Sequence, residues 1–131
     1  KKMALPPCHI LYIWNLHQNK LSGTLVMRSG DLVLGVPFNV ASLTILTRLI
    51  AKEVGLECGT VTVFIANAHI YHNHLLKMKP LLAKTPIPTH PFPTLELDEE
   101  MSILQPEKMS YKQLRLNDYK CHPRIKMDMV A

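Results

Sequence analysis

The chain has 131 residues, 47% hydrophobic and 19% charged, with fifteen Lys and Arg against ten Asp and Glu for a net charge of +5. That apolar share can bury a core, which excludes a wholly disordered chain, and the length suits one domain or part of one rather than two. No apolar run is long enough to span a bilayer, and the scattered charge favours an anionic small ligand as readily as nucleic acid.

Cys8, Cys58 and Cys121 are odd in number, far apart and without a CxxC pair. This argues against a disulfide framework or a zinc ribbon and for a reducing, cytoplasmic setting. The basic start, Lys1-Lys2, lacks the apolar stretch of a signal peptide. A first residue that is not Met is expected of a chain that begins inside something longer.

In chain order, residues 8–16 are strand-like, 17–20 form a polar turn and 21–28 form a second strand, together a β-hairpin. Ser29-Gly30-Asp31 is expected to be a loop, followed by a short apolar run at 32–34 and punctuation at Gly35-Val36-Pro37. Residues 39–54 carry the clearest helical spacing, with Val40, Leu43, Leu46 and Ile50 on one stripe. Asn39 is placed to be its N-cap and Gly55 its C′ residue. Few charges mark this helix, so burial on most sides is expected. Residues 60–66 read as a buried strand, about 70–79 as a helix that Pro80 ends or kinks, and 85–93 as an extended proline-rich connection. Residues 94–97 read as a strand, and 107–118 stay open between helix and strand. The order β-β-α-β-α-β fits the α+β class, in one domain over 1–131.

Several residues could carry chemistry. Cys8 sits at the mouth of a strand, where an exposed thiol beside a cation can serve as a nucleophile. A free cysteine is more often a small buried apolar residue. His9 is a doubtful base for it, because neighbours on a strand point to opposite faces. Arg28-Ser29 could bind a phosphate, or Arg28 could simply face water at a strand end. Asn39 could pair its amide with a pyrimidine edge, beside its plainer role as a cap. His69, His72 and His74 invite a metal reading, but 72 and 74 do not share a helix face and no acidic residue or cysteine lies close by, so no metal is expected. His69 and Tyr71 could grip a ligand hydroxyl. Met101, Met109, Met127 and Met129 read as core filler rather than a binding surface.

Taken together, these blocks are specific. Pro7-Cys8-His9, Arg28-Ser29-x-Asp31, Leu34-Gly35-x-Pro37-Phe38-Asn39 and Ala68-His69-Ile70-Tyr71-x-Asn73-His74 come in order. They are followed by Tyr119-x-x-His122-Pro123 and Ile125-Lys126-Met127-x-Met129. In order and spacing the set resembles the C-terminal half of thymidylate synthase over nearly the whole chain. The resemblance implies an α+β fold: a twisted mixed sheet packed with a long buried helix, with the family's N-terminal part missing. It also implies methylation of dUMP to dTMP, with 5,10-methylenetetrahydrofolate as one-carbon and hydride donor and no metal. Cys8 would add to ring carbon 6, making carbon 5 an enolate. Arg28 would sit near both Cys8 and the substrate phosphate, favouring the thiolate and binding phosphate with Ser29. Asn39 would read the uracil edge and stabilise the enolate oxygen. His69 and Tyr71 would hold the sugar hydroxyl, with Gly30, Asp31 and Ile70 completing the substrate contacts. Asp31 would bind the pterin, Leu34, Gly35 and Phe38 would line its pocket, and Val130 and Ala131 would close over it.

The family is a homodimer whose partner lends arginines to the phosphate site. Those arginines, and a glutamate that organises proton transfer, lie outside the half this chain resembles. The resemblance therefore implies that these 131 residues alone are inactive or nearly so. Departures from the family's commoner pattern are Met27 for Gln, Ala66-Asn67 for Gly-Asp, Pro80 within a helix, Cys121 for Pro and the ending Val-Ala. Two other readings stand beside the synthase. One is a pyrimidine hydroxymethylase of the same superfamily, which Asn39 confines to uracil. The other is a non-catalytic remnant that only associates with a full subunit or binds RNA; the co-occurrence of Cys8, Arg28, Asn39, His69 and Tyr71 argues against it. No membrane partner is implied, and nucleic acid is not expected.

Overall fold

A computed structural model describes residues 5–83 and 90–129. The chain falls into two compact units, Lys1–Tyr71 and His72–Ala131.

The first unit opens with the expected hairpin, β1 (His9–His17) and β2 (Lys20–Asp31). His17 pairs with Lys20, so the loop is only Gln18-Asn19, at φ 46° and 62°. Positive φ at both central residues gives the twist that a two-residue hairpin needs, and Asn tolerates it well. β2 is longer than expected and carries Ser29, Gly30 and Asp31 as strand, not loop. The reason is the third strand, β3 (Glu57–His69), which runs parallel to β2 with Ser29 opposite Asn67, Gly30 opposite Ala68 and Asp31 opposite His69. Ladder bonds to a non-local partner override the local turn signal. The sheet order is β1-β2-β3, mixed, and α1 (Gly35–Glu53) makes the crossover between the two parallel strands.

The helix starts four residues before the expected cap. Asp31 Oδ1 accepts from Val33 N at 3.0 Å in the preceding turn, and Leu34 at the N-cap gives no side-chain cap. Pro37 does not stop α1, because it sits in the first turn, where a missing N–H has no helical partner to lose. Asn39 is thus inside the helix and is not its cap. The C-terminal end is as expected, with Val54 as C-cap followed by Gly55 at φ 70°.

The core lies between the sheet and one stripe of α1. Leu25, Met27 and Leu43 are buried together, with Tyr12, Val61, Val63 and Ile65 packed against them. Each such side chain contributes about 1.5–3 kcal/mol on burial. On α1 only Leu43, Thr47, Leu49 and Ala51 are buried, while Phe38 and Val40 stay exposed. The helix therefore buries a face within this unit rather than most of its surface. β3 likewise alternates, with Val61, Val63 and Ile65 inward and Phe64 outward, because α1 covers only one side of the sheet.

The second unit opens with α2 (His72–Leu82), which keeps Pro80 inside its last turn. Ending a turn early is avoidable here, since only one N–H···O bond is lost near a terminus. His74 on α2 is fully buried, and its Nε2 donates to the Asp128 carbonyl at 2.7 Å. Lys77 Nζ meets Asp128 Oδ2 at 2.7 Å. The segment left open between helix and strand resolves as both. Two short 3-10 turns, Pro106–Lys108 and Tyr111–Gln113, precede β5 (Leu114–Asn117), which pairs antiparallel with the expected strand β4 (Thr94–Leu97). Ser110 and Gln113 make a reciprocal capping box on the second turn. Of the four methionines read as core filler, Met101 is buried and Met129 is 91% exposed. The proline-rich connection lies largely outside the described residues.

Candidate active site

Almost every residue of the expected site lies at one end of the first unit. Cys8 is exposed just before β1, against the expectation for an ordinary free cysteine. Its carbonyl accepts from Arg28 N at 2.9 Å, which extends the β1–β2 ladder by one step. The Arg28 side chain folds back over the same segment. Nε donates to the Pro7 carbonyl at 3.1 Å and Nη2 to the Pro6 carbonyl at 2.6 Å. The two prolines cannot donate backbone N–H, so their carbonyls are natural acceptors for the guanidinium fork. A cation is thereby tied to the peptide that carries the thiol. Its remaining N–H donors have no partner among the described residues.

A bulge between His9 and Leu11 breaks the alternation of β1. His9 opposes Met27 and Tyr12 opposes Leu25, both buried positions on the α1 side of β2. Three residues apart on a regular strand, these side chains would face opposite ways; the extra residue turns them to one face. His9 Nδ1 lies 2.6 Å from the Tyr12 hydroxyl, and His9 Nε2 lies 2.9 Å from Asn39 Nδ2. His9 therefore faces Asn39, one of the expected site residues. Tyr12 stacks on Trp14 with centroids 5.8 Å apart, and Trp14 Nε1 donates to Thr47 at 3.3 Å. The sequence alone pointed to Asn39 but missed Tyr12, because the bulge that aligns it with His9 has no local signature.

The parallel β2–β3 register gathers the next residues. The Asn67 amide donates to Ser29 Oγ at 3.5 Å. His69 and Tyr71 meet edge to face, with centroids 5.0 Å apart, and Ile70 between them is exposed. Leu32 N donates to the His69 carbonyl at 2.9 Å, so the turn after β2 is sewn to the end of β3. Gly30 is buried, and a Cβ there would lie 2.9 Å from Val36 Cγ2 and 3.1 Å from Ile65 Cγ2. Close packing requires a glycine at this position. Asp31 Cβ and Asn39 Oδ1 both come within 4 Å of where a Gly35 side chain would begin, at 3.7 and 3.8 Å. Asp31, Gly35 and Asn39 are thus neighbours, with half-buried Leu34 and the 74% exposed ring of Phe38 beside them in the chain.

Val130 and Ala131 lie outside the described residues. Among the described residues, no group of three or more His, Cys, Asp or Glu gathers as for a metal, and no helix is long and apolar enough to cross a membrane. In the second unit, the Tyr119 phenol is pushed above its ordinary value, chiefly by its hydrogen bond to Cys121.

The comparisons with known proteins agree with one another. A family model described as thymidylate synthase matches residues 1–131. The chain is 40% identical over 129 residues to thymidylate synthase 1/2 of Encephalitozoon cuniculi (strain GB-M1), covering 98% of this chain and 43% of that protein. It is 44% identical over 133 residues to the bifunctional dihydrofolate reductase-thymidylate synthase of Leishmania major, covering 100% of this chain and 25% of that one. The protein of the same description from Leishmania amazonensis is 43% identical over 132 residues, 99% of this chain and 24% of its own. The chain thus spans less than half the length of these relatives. With the family match running from the first residue to the last, the chain belongs to the thymidylate synthase family.

Proposed function

We propose that this chain supplies the nucleophile and the base-reading residues of an enzyme that methylates dUMP to dTMP. The observation that carries the reading is the exposed Cys8 thiol on a segment that Arg28 holds through the Pro6 and Pro7 carbonyls. A thiolate is a strong nucleophile, and the guanidinium tied to its segment offers further donors to a phosphate.

In this reaction the Cys8 thiolate adds to ring carbon 6 of the uracil. The electron pair moves to carbon 5, and charge builds on the ring oxygen at carbon 4. Asn39, held by His9 at 2.9 Å, offers an amide that can donate to that oxygen and accept from ring N3–H. Ser29 and Arg28 take the phosphate. His69 and Tyr71, with Ile70 between them, take the sugar hydroxyl. 5,10-Methylenetetrahydrofolate supplies the one-carbon unit and then the hydride. Loss of the carbon 5 proton and departure of the Cys8 thiolate from carbon 6 restore the enzyme. The residues fit a flat polar heterocycle: the Asp31 carboxylate beside Gly35 can accept ring N–H groups, and the exposed face of Phe38 is apolar. Val130 and Ala131 are assigned to its closure.

The partner is a second copy of the same protein. The sheet face away from α1 carries Leu11, Ile13 and Phe64, exposed at 49%, 40% and 62%, with half-buried Val26 among them. Contiguous apolar surface of this kind is characteristic of an interface. Residues 1–131 belong to a single synthase domain whose mixed sheet is twisted and whose α1 is covered on its outer side in the complete protein. The setting is the reducing cytoplasm, where Cys8 stays a thiol.

The test is the mass of the nucleotide after incubating the full-length protein with dUMP and methylenetetrahydrofolate. A methyl gain is expected, and Cys8→Ser should lower the rate roughly a thousandfold or more. A hydroxymethyl gain, or unchanged nucleotide from folded protein, would overturn the assignment.

A further inference from the structure

His74 is used by no step above, and its ring is fully buried on α2. The group it meets is main chain: the Asp128 carbonyl lies 2.7 Å from Nε2. A carbonyl oxygen can only accept, so Nε2 carries the proton and the direction of this bond is fixed. Near one turn further along α2, Lys77 Nζ donates to Asp128 Oδ2 at 2.7 Å. Positions 74 and 77 share a helix face. That face therefore grips one residue twice, by its main chain and by its side chain.

The gripped residue lies in an extended stretch. β5 ends at Asn117, and from Cys121 to Met129 the chain forms neither helix nor strand and is exposed at every residue but Met127. A segment held at a single point can pivot about it. A main-chain bond and a side-chain bond on the same residue fix both its position and its direction. Part of the segment's conformational entropy is then lost before a ligand arrives, which leaves less to be lost on binding. The two bonds differ in character. The His74 bond is buried and reads only the backbone. The Lys77 bond needs an acidic side chain at 128, and both its partners reach solvent, so salt screens it.

Resting on the assignment of Val130 and Ala131 to closure over the folate, we infer that His74 and Lys77 are positioning residues for that closure. They fix Asp128, two residues before Val130, so that the closing residues start from a held point. Their effect runs through Asp128 alone and falls on the folate rather than on the nucleotide.

The experiment compares the full-length wild type with Lys77→Ala, Asp128→Ala, the double variant and the charge exchange Lys77→Asp with Asp128→Lys. Both side chains reach solvent, so these changes leave the core intact. Binding of dUMP alone is measured by calorimetry, and KM for methylenetetrahydrofolate by turnover. Each single variant should raise the folate KM about two- to fivefold, the worth of one exposed ion pair, and leave dUMP affinity unchanged. The double variant should match the single ones, because all remove one shared interaction. The charge exchange should restore most of the loss. In 15N-histidine-labelled protein the nitrogen shifts of His74 should report the Nε2–H tautomer. A merely structural role would weaken both ligands together and would not be rescued by the exchange. An unchanged folate KM in the single variants, additive losses in the double, no rescue by the exchange, or an Nδ1–H tautomer at His74 overturns the inference, while wild-type methylation of dUMP leaves the parent reading standing. A folded wild type that neither binds dUMP nor turns it over sinks both.

Discussion

Arg28 and Gly30, two residues apart on β2, show how differently neighbouring site residues are determined. Arg28 is held by donating to two prolyl carbonyls. Lysine has no planar fork, so Arg28→Lys should loosen the Cys8 segment, seen as faster backbone amide exchange at residues 8–9 with the core unchanged. Gly30 is set by space. Its substitution by Ala would press a methyl group against Val36 and Ile65 at 2.9 and 3.1 Å. We expect Gly30→Ala to cost about 1–3 kcal/mol, read as a lower urea midpoint at constant slope. The motif blocks made both residues visible. What holds each of them is set by partners that no local pattern encodes, the Pro6 and Pro7 carbonyls for Arg28 and the Val36 and Ile65 side chains for Gly30.

Among the elements, α1 and the tail against α2 carry the clearest expectations. Leu43 is 1% exposed at the centre of the core, so Leu43→Ala should cost about 2–5 kcal/mol in thermal or denaturant unfolding. Asp128 is a surface case. The Lys77 ammonium, first by hydrogen bond and then by charge, holds its carboxyl below the ordinary carboxylate range. A carboxyl whose pKa is lower folded than unfolded stabilises above the unfolded value, and that contribution disappears as pH falls through the folded value. Acidification below the ordinary aspartate range should therefore release this side-chain anchor, and high salt should weaken it, because both partners are exposed. In Lys77→Ala the Asp128 carboxyl should titrate closer to its ordinary range by NMR, while the His74 bond to the Asp128 carbonyl keeps the tail on α2. The helical period of α1 and the hairpin were legible in the sequence. Its true start was not, because a proline in a first turn looks locally like a stop.

At the scale of the whole molecule, the uncovered sheet face is the feature with the largest consequence. Phe64→Glu would place a charge among Leu11, Ile13 and Val26, and in the full-length protein it should shift sedimentation from dimer to monomer. A variant that sediments like wild type would remove this face from the interface. The α+β class, the order of elements and the family were readable from the sequence itself. They rest on short-range quantities: hydrophobic period, turn residues and the order and spacing of blocks such as Pro7-Cys8-His9. The extension of β2 through Asp31, the placement of Asn39 inside α1 and the alignment of Tyr12 with His9 were decided only by the tertiary structure. Each depends on a partner distant in sequence, respectively β3, the turn packed at His69 and the bulged pairing of β1 with β2. Pairing energies between distant segments outweigh local preference wherever a whole ladder or helix face is at stake, so the chemistry was written in the residues and its orientation in the fold.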